Sequence, residues 1–327
     1  MAEIKSGAGH DVDYYRAERE AQVLRQVIAR NQGPLSDEDI ARLFREIMSS
    51  CLALEQKMRI AFLGPEGTFT QDAALKHFGH AVSTVPHAAI DEIFRDVESG
   101  LSNYGVVPVE NSTEGVVNHT LDMFLNSPLK ICGEVELRIH HCLLTRVADT
   151  SKITKVYGHQ QALAQCREWL DAELKNIPRI AVSSNAKAAS LAFEETGAAA
   201  IASATAADIY SLEVLAANIE DEPDNTTRFL IIGRKSPGVS GKDKTSLLLS
   251  TSNRPGALAR LLLPLAEAGI SMTRIESRPS RRGMWDYVFF VDIEGHAVDG
   301  KVATALDILR KEAAMLKVLG SYPVAVL

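Results

Sequence analysis

The chain has 327 residues, a formal net charge of −7, and 46% hydrophobic and 24% charged residues, an ordinary globular composition with length for about two domains. No long Lys/Arg cluster suggests nucleic acid, and the polar N-terminus and the lack of an apolar run near the ~18–20 residues that span a bilayer lead to the expectation of a cytoplasmic protein. Cys51, Cys132, Cys142 and Cys166 show no CxxC spacing; they read as reduced, buried thiols, and neither a metal nor a cofactor is expected.

Residues 13–56 read as two helices. Leu24, Val27 and Ile28 recur at helical spacing, Gly33-Pro34 ends the run, and Ser36 caps a second helix with Asp37, Glu38 and Asp39 in its first turn. Ile40, Leu43, Phe44, Ile47 and Cys51 then form one apolar stripe. Two helices bury little by themselves, so this piece needs a partner surface.

From residue 57 to 235 strands and helices alternate. Arg59–Leu63, Tyr104–Val109, Leu137–Thr145, Val156-Tyr157, Arg179–Val182, Ala198–Ala202 and Arg228–Ile232 are predicted strands, with helices such as Ala188–Glu195 between them. The pattern is α/β with a mostly parallel sheet, long enough for two lobes around a cleft. Residues 236–243 form a linker with Pro237, Gly238 and Gly241. Beyond it, residues 244–327 give a β-α-β-β-α-β order: Thr245–Ser250, Gly256–Ala268, Ser271–Ser277, Tyr287–Ile293, Lys301–Ala314 and Met315–Tyr322, a ferredoxin-like arrangement.

Several segments carry residues suited to chemistry. Gly64-Pro65-Glu66-Gly67-Thr68-Phe69-Thr70 leaves the first strand and opens a helix, so backbone N–H groups can meet an anion. Glu110-Asn111-Ser112-Thr113-Glu114 repeats the arrangement after another strand, and Ser183-Ser184-Asn185 supplies a third donor-rich helix start. Together they suggest a cleft for a polyanion, although each start could be simple capping. Asn225-Thr226-Thr227-Arg228-Phe229 sits at the mouth of the last strand, where open α/β folds place ligands. His140, His141 and His159 are the best histidine candidates; His140 and His141, adjacent on a strand, point to opposite faces. In the last unit, Asn253-Arg254-Pro255-Gly256-Ala257-Leu258 opens a helix and Glu276-Ser277-Arg278-Pro279 ends a strand, a combination able to hold a free amino acid.

On these motifs the chain resembles the chorismate mutase–prephenate dehydratase family of phenylalanine biosynthesis. Gly-Pro-Glu-Gly-Thr-Phe, Val-Glu-Asn-Ser and Asn-Thr-Thr-Arg-Phe look like prephenate dehydratase motifs, and Gly256-Ala257-Leu258 with Glu276-Ser277-Arg278-Pro279 looks like the phenylalanine site of an ACT regulatory domain. One departure is Gly158-His159-Gln160-Gln161, where the family commonly has proline after the histidine. The resemblance implies a two-lobed, periplasmic-binding-protein-like dehydratase domain, a short helical segment before it and an ACT domain after it. It implies prephenate as substrate and L-phenylalanine as allosteric inhibitor. Thr227 is the implied proton donor, with Thr68, Glu110, Asn111, Ser112, Thr113, His159, Arg228 and Phe229 around the substrate. Of these, Arg228 is expected to be structural, because strand neighbours point opposite ways. Asn253, Gly256, Ala257, Leu258, Glu276, Ser277 and Arg278 are the implied phenylalanine-binding residues.

Residues 1–56 resemble the second and third helices of an AroQ-type chorismate mutase, with Lys5, Arg19, Glu20 and Glu55 at its active-site positions. The family's first helix, with two substrate-binding arginines, would lie before Met1, so little mutase activity is expected. The resemblance also implies a homodimer or larger homo-oligomer. Two alternatives stay open: arogenate as substrate, or a non-catalytic amino-acid sensor.

Overall fold

A computed structural model describes residues 15–251, 254–279 and 287–326. The two N-terminal helices are α1 (Ala17–Ala29) and α2 (Asp37–Glu55). Ser36 caps α2 by accepting the Asp39 N–H at 3.0 Å, so the restart read from the sequence has its expected cause. Their partner surface is the rest of the chain. Arg25 of α1 donates to Ser240 O, Lys242 O and Val324 O, and Tyr15 packs on Phe78 and Tyr104.

The next segment makes two sheets. The first orders its strands β2 (Ser83–His87), β1 (Arg59–Leu63), β3 (Tyr104–Asn111), β11 (Thr226–Gly233) and β5 (Lys130–Arg138), with the short β4 (Gly115–Val116) beside β3. The second runs β10 (Glu213–Ala216), β6 (Cys142–Thr145), β9 (Ala198–Ala202), β7 (Lys155–His159) and β8 (Arg179–Val182). Both are mixed rather than mostly parallel. In the first, β11 runs antiparallel to β3 and β5; in the second, β6 runs antiparallel to β9 and β10. The two lobes explain this, because the chain leaves the first sheet through 139–141 and returns through 217–225. The predicted strand Leu137–Thr145 is therefore broken: its ends belong to different sheets, and Ile139–His141 cross between them.

Helices α3 (Phe69–Phe78), α4 (Ile90–Ser99) and α5 (Asn118–Asn126) accompany the first sheet, and α6 (Gln160–Gln165), α7 (Arg167–Glu173), α8 (Asn185–Glu194) and α9 (Ala204–Tyr210) the second. Cys132, Cys142 and Cys166 are buried as expected, whereas Cys51 is exposed, because its stripe is only partly covered.

The C-terminal unit is β12 (Asp243–Ser250), α10 (Ala257–Glu267), β13 (Met272–Pro279), β14 (Tyr287–Glu294), α11 (Gly300–Glu312) and β15 (Met315–Pro323), with sheet order β13-β14-β12-β15. Its helices cover one face of the sheet, so the other face must be buried elsewhere. Leu247 and Leu249 join the helix-side core, while Leu248, Phe290, Leu319 and Tyr322 join one cluster with Phe124, Ile131 and Leu230 of the first lobe. Contact is close enough that a Cβ on Gly320 would overlap the Ile131 carbonyl. Among the described residues the edge strands of this sheet are β13 and β15.

Candidate active site

A cleft of about 440 Å³ opens where the chain crosses between the two lobes. Thr227 and Asn111 are paired residues of β11 and β3 and share one face of the sheet. Asn111 Nδ2 donates to Thr227 Oγ1 at 2.7 Å and to Asn225 Oδ1 at 2.7 Å. The orientation of this amide is fixed, since its Oδ1 accepts the backbone N–H groups of Thr113 and Glu114, each at 3.0 Å. Because Thr227 Oγ1 accepts from Asn111, its own hydrogen is free to donate elsewhere. Phe229, two residues on, lies on the same face and also lines the cleft.

The second lobe contributes His159, Gln161, Gln165 and Asn185, and the crossing segments contribute Ile139, His141 and Asn225. Helix α3 begins at the cleft with Phe69 and Thr70, so the positive end of its dipole faces the opening. Among the described residues the only charged side chain in the wall is Glu114, which accepts from Gln161 and Gln165. His159 lines the wall and also caps α6, its Nδ1 accepting the Gln161 N–H at 3.4 Å.

Several expected contacts fall elsewhere. Thr68 is the N-cap position of α3, and its hydroxyl donates to Leu63 O at 2.9 Å, so it is spent on the turn rather than on the cleft. Ser112 and Thr113 close the loop, accepting Thr226 N–H and donating to Asn111 respectively. They stand behind the lining residues. Glu110 and Arg228 occupy the opposite face of their strands from Asn111 and Thr227, as strand alternation requires. Glu110 pairs with Arg274 of the C-terminal unit at 2.8 Å. Arg228 bridges Glu134 at 2.8 Å and Asp292 at 2.6 Å and donates to Tyr322 Oη, so it binds protein carboxylates instead of substrate. Burial works against its charge, but Tyr322, Asp292 and Glu134 outweigh it and hold its pKa above the ordinary arginine value.

Around the C-terminal unit, Gly256 sits before α10 with φ +72°, a left-handed conformation that a residue with a Cβ resists. Ala257 is buried and Leu258 exposed. On β13, Arg274, Glu276 and Arg278 are less exposed than Ile275 and Ser277. Arg278 pairs with Asp122 at 3.1 Å and donates to Asn118, both in the first lobe, so it is an interdomain contact rather than an amino-acid ligand. Asn253 lies outside the described residues.

At the N-terminal segment, Lys5 also lies outside the described residues. Arg19 is exposed, whereas Glu20 turns inward, 3.5 Å from Arg45. Burial outweighs Arg45 and pushes the Glu20 carboxyl up to about 7. Glu55 is the last residue of α2.

Sequence reasoning missed Gln165, named His141 only as one of three histidine candidates, and gave Asn225 no role of its own within Asn-Thr-Thr-Arg-Phe. Gln165 belongs to no recognisable turn motif, whereas Asn225 stands at the head of Asn-Thr-Thr-Arg-Phe and His141 in the His140-His141 pair.

Comparison with known proteins matches this arrangement. A prephenate dehydratase profile matches residues 60–237, an ACT domain profile residues 245–311 and a chorismate mutase type II profile residues 1–56. The chain is 59% identical to the bifunctional chorismate mutase/prephenate dehydratase of Stutzerimonas stutzeri, over the whole of this chain and 91% of that protein. Among solved structures it is similar to Arthrobacter aurescens prephenate dehydratase in complex with L-Phe, at 35% identity and a TM-score of 0.75, over 81% of this chain and 89% of that one. It is also similar, at 31% identity and a TM-score of 0.76, to GqqA, described as a novel type of quorum quenching acylase, over 82% of this chain and 98% of that one.

Proposed function

Since the chain belongs to the bifunctional chorismate mutase/prephenate dehydratase family, we propose that it converts prephenate to phenylpyruvate in the cleft around Thr227, under feedback inhibition by L-phenylalanine at the ACT domain. The observation that carries this reading is the Asn111–Thr227 pair, which leaves one hydroxyl hydrogen available in a cleft built from neutral donors and acceptors.

In the reaction the bond from the ring to its carboxylate breaks and its electron pair enters the ring. The C–O bond opposite breaks with its pair leaving on oxygen. A prephenate dianion thus gives the phenylpyruvate anion, carbon dioxide and hydroxide, which takes a proton from solvent. Aromatisation supplies the driving force, so the protein has to hold the carboxylates and stabilise the departing oxygen. A threonine hydroxyl is too weak an acid to protonate the leaving group in advance. Its hydrogen bond instead strengthens as negative charge builds on oxygen, which is a transition-state interaction. The carboxylates meet amide donors and the α3 start rather than cations, since among the described residues no Lys or Arg lines the cleft.

The ACT unit supports the regulatory part of the reading. Gly256 and β13 offer a helix start and a strand edge beside one another in sequence order, and β13 is one of the two edge strands of its sheet among the described residues. Pairing of two such edges gives a homodimer with phenylalanine at the interface. We further propose little chorismate mutase turnover from the helical segment, because Arg19 is exposed while Glu20 faces Arg45 inside.

Purified protein supplied in parallel with prephenate, arogenate and chorismate, with and without phenylalanine, tests the whole reading. Phenylpyruvate from prephenate, suppressed by phenylalanine, is the expected result. Preference for arogenate would replace the substrate, and failure to turn over either would leave a sensor. Rapid chorismate turnover would overturn the mutase proposal.

A further inference from the structure

Resting on the prephenate reading above, we infer that His141 is a positioning residue for this reaction: its bare Nδ1 accepts the hydrogen of the substrate's ring hydroxyl and turns that oxygen's lone pairs toward Thr227.

The tautomer of His141 follows from a chain of hydrogen bonds that starts at backbone amides, whose donor role is fixed. Thr113 N–H and Glu114 N–H donate to Asn111 Oδ1, so Asn111 Nδ2 faces Asn225 and must be the donor to its Oδ1. Asn225 Nδ2 is then the group that donates to Gln165 Oε1, at 3.2 Å. The same Gln165 oxygen lies 2.9 Å from His141 Nε2, so that nitrogen carries the hydrogen. In a neutral imidazole the other nitrogen is then an acceptor only.

That nitrogen, Nδ1, is buried and has no hydrogen-bond partner among the described residues. An unsatisfied buried acceptor is unusual in a native protein and calls for an explanation. His141 is 2% exposed and lines the cleft with Thr227, and its ring stands edge-on to Phe69 at 5.4 Å. Burial lowers its pKa below the ordinary imidazole value, against weaker raising effects from Gln165 and Glu220, which keeps the acceptor form at neutral pH.

The substrate supplies one complementary group. The two carboxylates and the ketone of prephenate only accept hydrogen bonds, while its ring hydroxyl can donate. An acceptor in the wall therefore selects the hydroxyl, which is the group that leaves. With its hydrogen held by His141, the oxygen presents lone pairs to the free hydrogen of Thr227. No proton is transferred to His141 in this scheme.

Two substitutions separate this role from packing. His141→Gln keeps an amide within reach of Gln165 but removes the acceptor at the δ position, whereas His141→Asn places Oδ1 there and gives up the Gln165 contact. The expected result is a fall of about tenfold or more in kcat/KM for prephenate in His141→Gln, the size of one lost hydrogen bond, with substantial recovery in His141→Asn. Phenylalanine binding and the melting transition serve as controls for folding. A His141→Gln enzyme within twofold of wild type, or a His141→Asn enzyme no better than His141→Gln, overturns the inference. Should either variant fold poorly, ¹⁵N NMR of the wild-type imidazole decides: Nε2 must carry the hydrogen, and the Nδ1 signal must move when prephenate is added. A wild-type enzyme inactive on prephenate would instead refute the substrate reading on which the inference rests.

Discussion

Thr227 and Arg228 are neighbours on one strand, yet Thr227 accepts a hydrogen bond from Asn111 in the cleft while Arg228 bridges Glu134 of the first lobe and Asp292 of the ACT domain. The strand that carries the hydroxyl proposed to act on substrate is therefore tied, one residue away and on its other face, to the ACT domain. A movement of the ACT sheet that shifts Asp292 would act on the backbone of Thr227, which gives the proposed feedback inhibition a physical route.

The cleft side of this relationship is tested by substitution at the pair. Thr227→Ala removes the donor and is expected to lower kcat by about two to three orders of magnitude, the range for losing a donor to a developing oxyanion, with KM little changed. Asn111→Ala frees Thr227 Oγ1 to turn and should lower kcat by a smaller factor. Steady-state kinetics on prephenate give both values. Normal turnover in Thr227→Ala would remove the hydroxyl from the mechanism.

The other face is tested at Arg228. Replacing it by methionine leaves Glu134, 2% exposed, with Lys244 as its remaining cation, and Asp292, 6% exposed, with Ser246. A cost of about 3 kcal/mol is expected, at the low end for one broken buried pair because those partners remain. Denaturant unfolding measures it. Inhibition by phenylalanine should weaken more than turnover. Loss of turnover by orders of magnitude at unchanged stability would instead assign Arg228 to the substrate.

Regulation is tested on β13. Glu276→Ala and Ser277→Ala should each raise the phenylalanine concentration needed for half inhibition, about tenfold for one lost contact of roughly 1.4 kcal/mol, and leave uninhibited turnover as in wild type. Inhibition intact in both variants would move the regulatory site elsewhere.

The interface between the N-terminal helices and the first lobe makes an opposed pH pair. Burial holds the Glu20 carboxyl at about 7 against an ordinary 4.5, so its contribution to stability is fully present below pH 4.5 and is lost as pH rises through 7. Burial, with Arg45 as a lesser cause, holds His77 at about 3 against an ordinary 6.5, so its contribution is present above pH 6.5 and is lost as pH falls through 3. Between about pH 4.5 and 6.5 the two slopes oppose each other. Wild-type stability should be nearly flat there, whereas Glu20→Gln should lose stability steadily on acidification. Thermal melts over this window show the difference, and parallel profiles for the two proteins would mean that Glu20 is not the compensating group.

Much of this molecule was determined by the sequence itself, wherever the cause is local. Ser36 caps α2, the β-α-β-β-α-β order of the ACT domain follows from short periodic runs, and the opposite directions of Thr227 and Arg228 follow from a period of two along a strand. The motifs around Asn111 and Thr227 marked residues that the fold brings into one cleft. The tertiary structure alone decided what those residues touch. Leu137–Thr145 reads as one apolar strand, but its ends lie in different sheets, because a crossing between lobes leaves no local signature. Glu110 and Arg278 read as ligand contacts and are instead spent, together with Arg228, on the join to the ACT sheet, whose uncovered face has to bury Leu248, Phe290 and Tyr322. Gln165 and His141 lie 24 residues apart and meet through one hydrogen bond. Such a pairing depends on long-range packing, which propensity and periodicity do not encode, and so the site's polar chain became visible only in the folded molecule.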